Sequence, residues 1–324
     1  MKLIIQIPCF DEEATLPETV DALPREIPGV DVIELLVIDD GSRDRTSEIA
    51  REVGVHHRIR FPRNRGLAYA FKAGLDASLR LGADLIVNTD ADNQYRGDDV
   101  RALVKPILDG EADMVIGDRQ VGDIAHFGLV KKKLQKLGSA VVRQVSRTAV
   151  PDTTSGFRAY SREAAMRLNL VGEFTYTLET IIQAGQGKMA VHSVPVRTNA
   201  ATRPSRLFRS IPEYVRRSVG TILRIYMMYR PLTVFLGLGG IVLFAGVALG
   251  IRFLAYYFTG GGSGHVQSVV LAAALLGIGV QIVVMGLLAD LIGANRKLVE
   301  DVLLRVKRLE AGAEGEGRPP SDTA

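Results

Sequence analysis

Residues 231–251 and 266–289 carry no charged side chain. Each run exceeds 20 residues, about the length needed to cross the hydrocarbon core of a bilayer. Soluble helices rarely continue so far without a polar stripe, so the two runs read as a transmembrane hairpin rather than as core helices. The flanking charge sets an expected orientation, because basic residues collect on the cytoplasmic side of short loops. Arg203, Arg206, Arg209, Arg216, Arg217, Arg224 and Arg230 precede the first run, against Glu213 alone, and Arg296, Lys297, Arg305, Lys307 and Arg308 follow the second. The Gly-rich stretch 252–265 between them holds one firm positive charge, Arg252. A cell-membrane protein with two spans is expected, with the loop outside and both termini cytoplasmic.

Ahead of the first span, residues 207–228 mix Arg with Leu, Ile, Val, Tyr and Met at roughly helical spacing. Such a helix suits the bilayer interface, where apolar side chains sink and Arg meets anionic headgroups. At the other end, Lys2 is followed by apolar residues 3–7 only, before Pro8 and the acidic Asp11-Glu12-Glu13. That run is too short for a signal peptide and reads as a first strand. Cys9 is the only cysteine among 324 residues, which rules out an intrachain disulfide or a cysteine-based metal site and suits a reducing compartment. The expected division is 1–202 globular, 203–230 juxtamembrane helix, 231–290 membrane hairpin and 291–324 cytoplasmic helix, with a disordered tail from Gly312.

Across the globular part, strand-like and helix-like patterns alternate. Strands are expected over 3–7, 32–39, 56–61, 83–88, 113–117 and 190–196, and helices near 14–23, 46–53, 67–81, 98–108, 130–147 and 177–184. Alternation of this kind implies an α/β fold, with a parallel or mostly parallel sheet covered by helices on both faces.

Two of the expected strands end in carboxylates. The apolar Leu85-Ile86-Val87 runs into Asn88-Thr89-Asp90-Ala91-Asp92-Asn93-Gln94, and Leu35-Leu36-Val37-Ile38 into Asp39-Asp40-Gly41-Ser42. A turn after Asp90 lets both carboxylates converge on one hard cation, Mg²⁺ or Mn²⁺. The local alternative makes Asp90 a turn-former and Asp92 an N-cap for the helix near Asp98. Ligands in open parallel sheets bind beyond the carboxyl ends of the strands, so Asp39 and Asp90 are expected to share a cleft, with Asp40 structural.

The motifs Ile7-Pro8-Cys9-Phe10-Asp11-Glu12-Glu13, Val37-Ile38-Asp39-Asp40-Gly41-Ser42, Asn64-Arg65-Gly66, Asp90-Ala91-Asp92-Asn93-Gln94 and Ser155-Gly156-Phe157-Arg158 stand in the order found in family 2 glycosyltransferases. The chain resembles that family over nearly all of residues 1–230, and most of all its branch of dolichyl- and polyprenyl-phosphate sugar synthases. The resemblance implies a GT-A, Rossmann-like sheet sandwiched by helices. It places the nucleotide-diphospho-sugar donor against Pro8, Phe10, Glu12, Asp39, Asn64, Asp90 and Ala91, and the metal at Asp90, Asp92 and Gln94. Arg119 and Arg203 are implied to face phosphates. Asp11 and Phe10 stand where the family commonly has Asn and Tyr. Arg203-Pro204-Ser205-Arg206 departs from the Gly-x-Ser-Lys form of mannose synthases, which favours UDP-glucose or UDP-N-acetylglucosamine over GDP-mannose.

The chemistry narrows the acceptor. A departing nucleoside diphosphate gathers charge on phosphate oxygens, which a metal and flanking Arg residues stabilise. A lipid phosphate is already anionic near pH 7 and needs no catalytic base. Asp92, Arg158 and Arg203 are therefore the expected catalytic residues. Arg158 is suited to hold polyprenyl or dolichyl phosphate by its fork of donors, the alternative being a salt bridge to Glu163 or Glu179, and Glu179 is expected to orient Arg rather than to react. Lys132 and Lys133, in the basic run that also contains Lys131 and Lys136, are expected at the acceptor phosphate or on a solvated helix face. Nucleic-acid binding is not expected, despite a pI near 9.2, because the clustered charge lies beside the spans without interleaved aromatics. A processive polysaccharide synthase would carry Gln-x-x-Arg-Trp, and the chain has no Trp. A dinucleotide-dependent oxidoreductase would need a Gly-rich turn where Pro8-Cys9-Phe10-Asp11 stands. A non-enzymatic membrane scaffold would not call for this set of carboxylates. Self-association is left open.

Overall fold

The computed structural model describes residues 1–120, 148–170, 176–199, 230–259 and 266–316, with isolated positions at 142, 143, 146, 216, 219, 220, 226 and 227. The globular part is built on a seven-stranded sheet: β1 (Lys2–Cys9), β2 (Val32–Asp39), β3 (His57–Arg60), β4 (Leu85–Asn88), β5 (Met114–Asp118), β6 (Arg158–Ser161) and β7 (Val191–Pro195), in the order β3-β2-β1-β4-β6-β5-β7. Strands β3, β2, β1 and β4 are mutually parallel, β5 pairs parallel with β7, and β6 runs antiparallel between β4 and β5. Strands β1, β2 and β4 are near-continuous apolar runs because both faces of the sheet are covered.

The helices are α1 (Leu16–Asp21), α2 (Thr46–Glu52), α3 (Leu67–Arg80), α4 (Val100–Leu108), α5 (Arg162–Arg167) and α6 (Tyr176–Gln186), with a 3₁₀ turn at Gly97–Asp99. Helix α3 lies tight on β1 and β2: a Cβ at Gly74 would stand 2.6 Å from Gln6 Oε1 and 2.7 Å from the Ile38 side chain. Leu3, Ile5, Ile7, Leu35, Val37, Leu85, Val87, Leu103 and Val115 share one buried cluster.

All six expected strands are present, each with its bounds within two residues. The departure is β6, with α5 directly after it. Arg-Ala-Tyr-Ser has no apolar run and begins on a charge, so its pattern is that of a loop, yet it fills a central place in the sheet. A mostly parallel sheet is correct, and its antiparallel member lies beside the candidate site. The helix expected over 130–147 and the one over 207–228 lie almost wholly outside the described residues.

Two long helices follow, α7 (Pro231–Phe258) and α8 (Val266–Glu316). Both are long and apolar enough to cross a membrane. Their apolar side chains are largely exposed rather than packed as a soluble core would be, Phe244 and Phe258 among them. The hairpin has a glycine seam: Gly239 meets Val283 and Gly279, Gly246 meets Leu276, Gly279 meets Leu243, and Gly286 meets Phe235. Small residues let two helices approach closely where no water drives them together. Residues 223–302 form one compact unit, and residues 1–222 with 303–324 form the other. Helix α8 runs to Glu316. Within the globular unit, Lys307 Nζ donates to the carbonyls of Met166 and Leu168 at the end of α5, where a cation suits the exposed carbonyls. Arg308 pairs with Glu163.

Candidate functional site

Sheet register puts the carboxyl ends of β2 and β4 on either side of the end of β1. Cys9 pairs with Asp39, Gln6 pairs with Asn88, and Thr89 N donates to Gln6 O. The strand order reverses at β1, the place where open α/β sheets bind ligands. Asp39 and Asp90 thus stand two strands apart, about 10 Å by strand spacing, on either side of the end of β1.

The chain does turn after Asp90. Ala91 and Asp92 occupy the turn, Asn93 has φ +53°, and Asp92 Oδ1 accepts from Gln94 N at 3.2 Å. The next helical turn begins at Gly97 with Arg96 at its N-cap, so Asp92 does not cap it. Ala91 is buried and its carbonyl accepts from Thr19 Oγ1 at 3.0 Å. Asp90 is partly exposed and accepts no hydrogen bond among the described residues. Burial first, then the neighbouring Asp92, push its carboxyl up to about 7, with the Arg119 charge working in the opposite sense. No three His, Cys, Asp or Glu side chains among the described residues form a metal cage. What is present is a pair of hard carboxylates one residue apart, of which Asp90 accepts no hydrogen bond among the described residues and is penalised by the charge of Asp92. A divalent cation relieves that penalty, so the donor set fits Mg²⁺ or Mn²⁺ with the remaining positions supplied from outside the protein. Gln94 is half-buried on the same turn.

Behind this turn lies a buried network absent from the sequence reading. Gln6 Nε2 donates to Asn88 Oδ1 at 2.9 Å, and Asn88 Nδ2 donates to the Gly156 carbonyl and to the Tyr176 hydroxyl, both at 2.9 Å. Gly156 N donates to Tyr95 Oη at 3.1 Å. Gly156 is thereby pressed against Asp90: a Cβ there would sit 2.9 and 3.0 Å from its carboxylate oxygens. Tyr176 stacks on Phe71 at 3.9 Å, and Tyr95 on Phe157 at 4.9 Å. Single tyrosines and an asparagine at scattered positions carry no spacing signal, which is why the motifs alone miss them.

On the other side, Asp39 is 1% exposed. Its Oδ1 closes the turn by accepting from Ser42 N at 2.8 Å, while Oδ2 lies 3.3 Å from Arg60 Nε and accepts no hydrogen bond. Asp40 accepts from Arg65 N at 2.7 Å and Gly66 N at 2.8 Å, so it is structural, as expected. The turn requires Gly41 (φ +74°), because a Cβ would meet the backbone of Arg63 and Asn64 at under 3 Å. Pro8 is buried within β1, Phe10 is half-buried, and Asn64 is exposed. Glu12 is buried, with Oε2 accepting from Thr15 Oγ1 at 2.8 Å. Asp11 has φ +53°, a left-handed conformation that Asn and Asp tolerate best. Asp where the family commonly has Asn is therefore conformationally neutral.

Arg158 corrects the expectation placed on it. Its side chain is fully buried, donating to Ser155 O at 2.7 Å, Thr177 O at 2.8 Å, Thr180 Oγ1 at 2.6 Å and Thr153 O at 3.0 Å. A guanidinium spent on these oxygens ties the 153–158 segment to α6 and offers no open edge to a lipid phosphate. Glu163 pairs with Arg167 and Arg308 instead. Glu179 is buried on α6 and accepts from Gln183 Nε2 at 3.1 Å. Lys131, Lys132, Lys133, Lys136 and Arg203 lie outside the described residues. The chain leading toward Arg203 is stitched to the Asp92 turn, since Asn199 N donates to Gln94 O at 2.9 Å and Asn199 Nδ2 to Asn93 O at 2.8 Å.

Comparison with known proteins accords with this geometry. The family model described as Glycosyl transferase family 2 matches residues 4–168. Undecaprenyl-phosphate mannosyltransferase of Micrococcus luteus is 30% identical over 177 residues, 52% of this chain and 70% of that protein. UDP-N-acetylglucosamine–dolichyl-phosphate N-acetylglucosaminyltransferase of Methanococcus voltae is 27% identical over 213 residues, 59% of this chain and 83% of that protein. Among solved structures, glucosyl-3-phosphoglycerate synthase of Mycobacterium tuberculosis, crystallised with Mn²⁺, UDP and glucosyl-3-phosphoglycerate, superposes with a TM-score of 0.55 at 23% identity, over 69% of this chain and 79% of that one. That likeness concerns the fold.

Proposed function

Because the chain belongs to glycosyl transferase family 2, we propose that it is a membrane-anchored, inverting, metal-dependent hexosyltransferase that moves a sugar from a nucleoside-diphosphate donor to polyprenyl or dolichyl phosphate. The observation that carries the reading is the Asp90–Asp92 turn beyond β4, set across the end of β1 from Asp39 in a chain with two candidate membrane spans. Relatives whose names specify polyprenyl- or dolichyl-phosphate acceptors support the lipid half. Asp39 stands at the nucleotide, Asp90, Asp92 and Gln94 hold the cation, and Arg119 and Arg203 hold donor phosphates. When bound, the divalent ion supplies positive charge where the leaving diphosphate becomes more negative. The protein contributes the fixed carboxylates and guanidinium groups around it, prepared before reaction. The acceptor arrives as an anion, so no side chain is assigned as a base.

The relatives divide between mannose and N-acetylglucosamine donors. The Arg203-Pro204-Ser205-Arg206 stretch favours UDP-glucose or UDP-N-acetylglucosamine. The basic flanks of the spans support a cytoplasmic catalytic unit with both termini on the same side. Purified protein in vesicles containing polyprenyl phosphate is offered radiolabelled UDP-glucose, UDP-N-acetylglucosamine and GDP-mannose in turn. Label in the organic extract with a UDP-sugar is expected. Label only with GDP-mannose reverses the donor assignment, and label with none of the three removes this reading.

A further inference from the structure

Arg119 has a buried partner to which the proposed function gives no role. Asp152, 3% exposed, receives Arg119 through two prongs, Nε to Oδ2 at 2.7 Å and Nη2 to Oδ1 at 3.1 Å. Arg119 Nη2 also donates to Thr154 Oγ1 at 2.8 Å. The Asp152 Oδ1 atom additionally accepts from Thr154 N and Oγ1, at 3.2 and 3.0 Å. With Oδ1 filled, Oδ2 paired to Arg119 and the side chain 3% exposed, this carboxylate is committed to Arg119 and Thr154. Arg119 Nη1, by contrast, makes no hydrogen bond among the described residues. Arg119 follows β5, whose Gly117 N donates to Phe157 O at 2.9 Å, next to the Gly156 that abuts Asp90. The segment 152–158 therefore grips the cationic side of the site through Asp152 and the anionic side through Gly156, while Arg158 ties down its Thr153 and Ser155 carbonyls.

We propose that Asp152 is a positioning residue of the transfer reaction, holding Arg119 by Nε and Nη2 so that Nη1 is left to meet the donor's phosphates. It rests on the donor-site reading given under Proposed function. An Arg fork fixed at two points loses little freedom on meeting phosphate, whereas a free one must be ordered at the moment of binding. Asp152 acts through Arg119 and touches no substrate itself.

The test is calorimetric binding of UDP and of GDP, each with Mn²⁺, to the detergent-solubilised full chain. The comparison covers wild type, Asp152→Asn, Arg119→Met and the charge-neutral double variant. Asp152→Asn should weaken binding about tenfold, the lower end of what outer partners of ligand-holding groups contribute. The double variant should bind no more weakly than Arg119→Met alone, because Asp152 has nothing left to position. That equality is also the deciding result if Asp152→Asn alone unfolds. Wild-type affinity in Asp152→Asn, or a further tenfold loss in the double variant, overturns the inference while leaving the donor site standing. Failure of the wild type to bind either nucleotide overturns the donor-site reading and the inference together.

Discussion

Replacing Asp90 by Asn should make the metal-free protein more stable while removing its ability to hold a cation. Burial and Asp92 raise the Asp90 carboxyl from 3.8 to about 7. Between those values the folded protein keeps a proton that the unfolded chain has lost, so wild-type stability falls as pH rises across the window, and the loss is complete above 7. Three pH units correspond to about 4 kcal/mol, taken as a ceiling. Asn is nearly isosteric and never ionises. In EDTA the two proteins should therefore unfold alike near pH 4, and the variant should gain with rising pH until about 7. At about 2–4 °C per kcal/mol for a unit of this size, the gain at pH 8 is several degrees and at most about 15 °C. Mn²⁺ should reverse the order, adding about 2.7 kcal/mol to wild type at one hundred times its dissociation constant and nothing to the variant. The assay is thermal unfolding of the globular unit from pH 4 to 8, with EDTA or Mn²⁺. A variant less stable than wild type at pH 8 in EDTA, or raised equally by Mn²⁺, refutes the reasoning.

Asp92→Asn should abolish transfer with folding intact, a loss of at least roughly 3–4 kcal/mol in transition-state stabilisation, and EDTA should inactivate the wild type with recovery on adding Mn²⁺ or Mg²⁺; turnover measured beside circular dichroism checks both. Gly156→Ala places a methyl 2.9 Å from both an Asp90 oxygen and the Tyr176 hydroxyl, so it should cost about 1–3 kcal/mol in unfolding and weaken Mn²⁺ binding in a calorimetric titration. Arg158→Lys should destabilise by about 1–3 kcal/mol, because an ammonium cannot reach the four oxygens a planar fork serves, yet leave the apparent KM for lipid phosphate unchanged in the folded protein.

The sheet was legible because β1, β2 and β4 are apolar runs that end abruptly in polar residues, and that pattern locates the strands and their carboxyl ends. Asp39 and Asp90 could be placed together from strand ends alone, and Asp40 was separable from Asp39 because the adjacent glycine marks a turn. Strand β6 was not legible, since its place between β4 and β5 is decided by pairing with distant residues rather than by its own four side chains. Arg158 misled for a related reason: a guanidinium fork suits a buried set of carbonyls as well as it suits a phosphate, and only burial separates the two. Asn88, Tyr95, Asp152 and Tyr176 act through contacts spanning tens of residues, from Asp152 with Arg119 to Asn88 with Tyr176, which no local spacing encodes.

The central claim is that the sugar is joined to a lipid phosphate. It is tested most directly by presenting the full chain in vesicles with its preferred labelled nucleotide sugar and either polyprenyl phosphate or the corresponding polyprenol, then treating the extracted product with mild acid. Label should enter the organic phase only with the phosphate, and mild acid should release it as free sugar. Transfer to the polyprenol, or an acid-stable product, contradicts the account and indicates an enzyme that glycosylates hydroxyl groups.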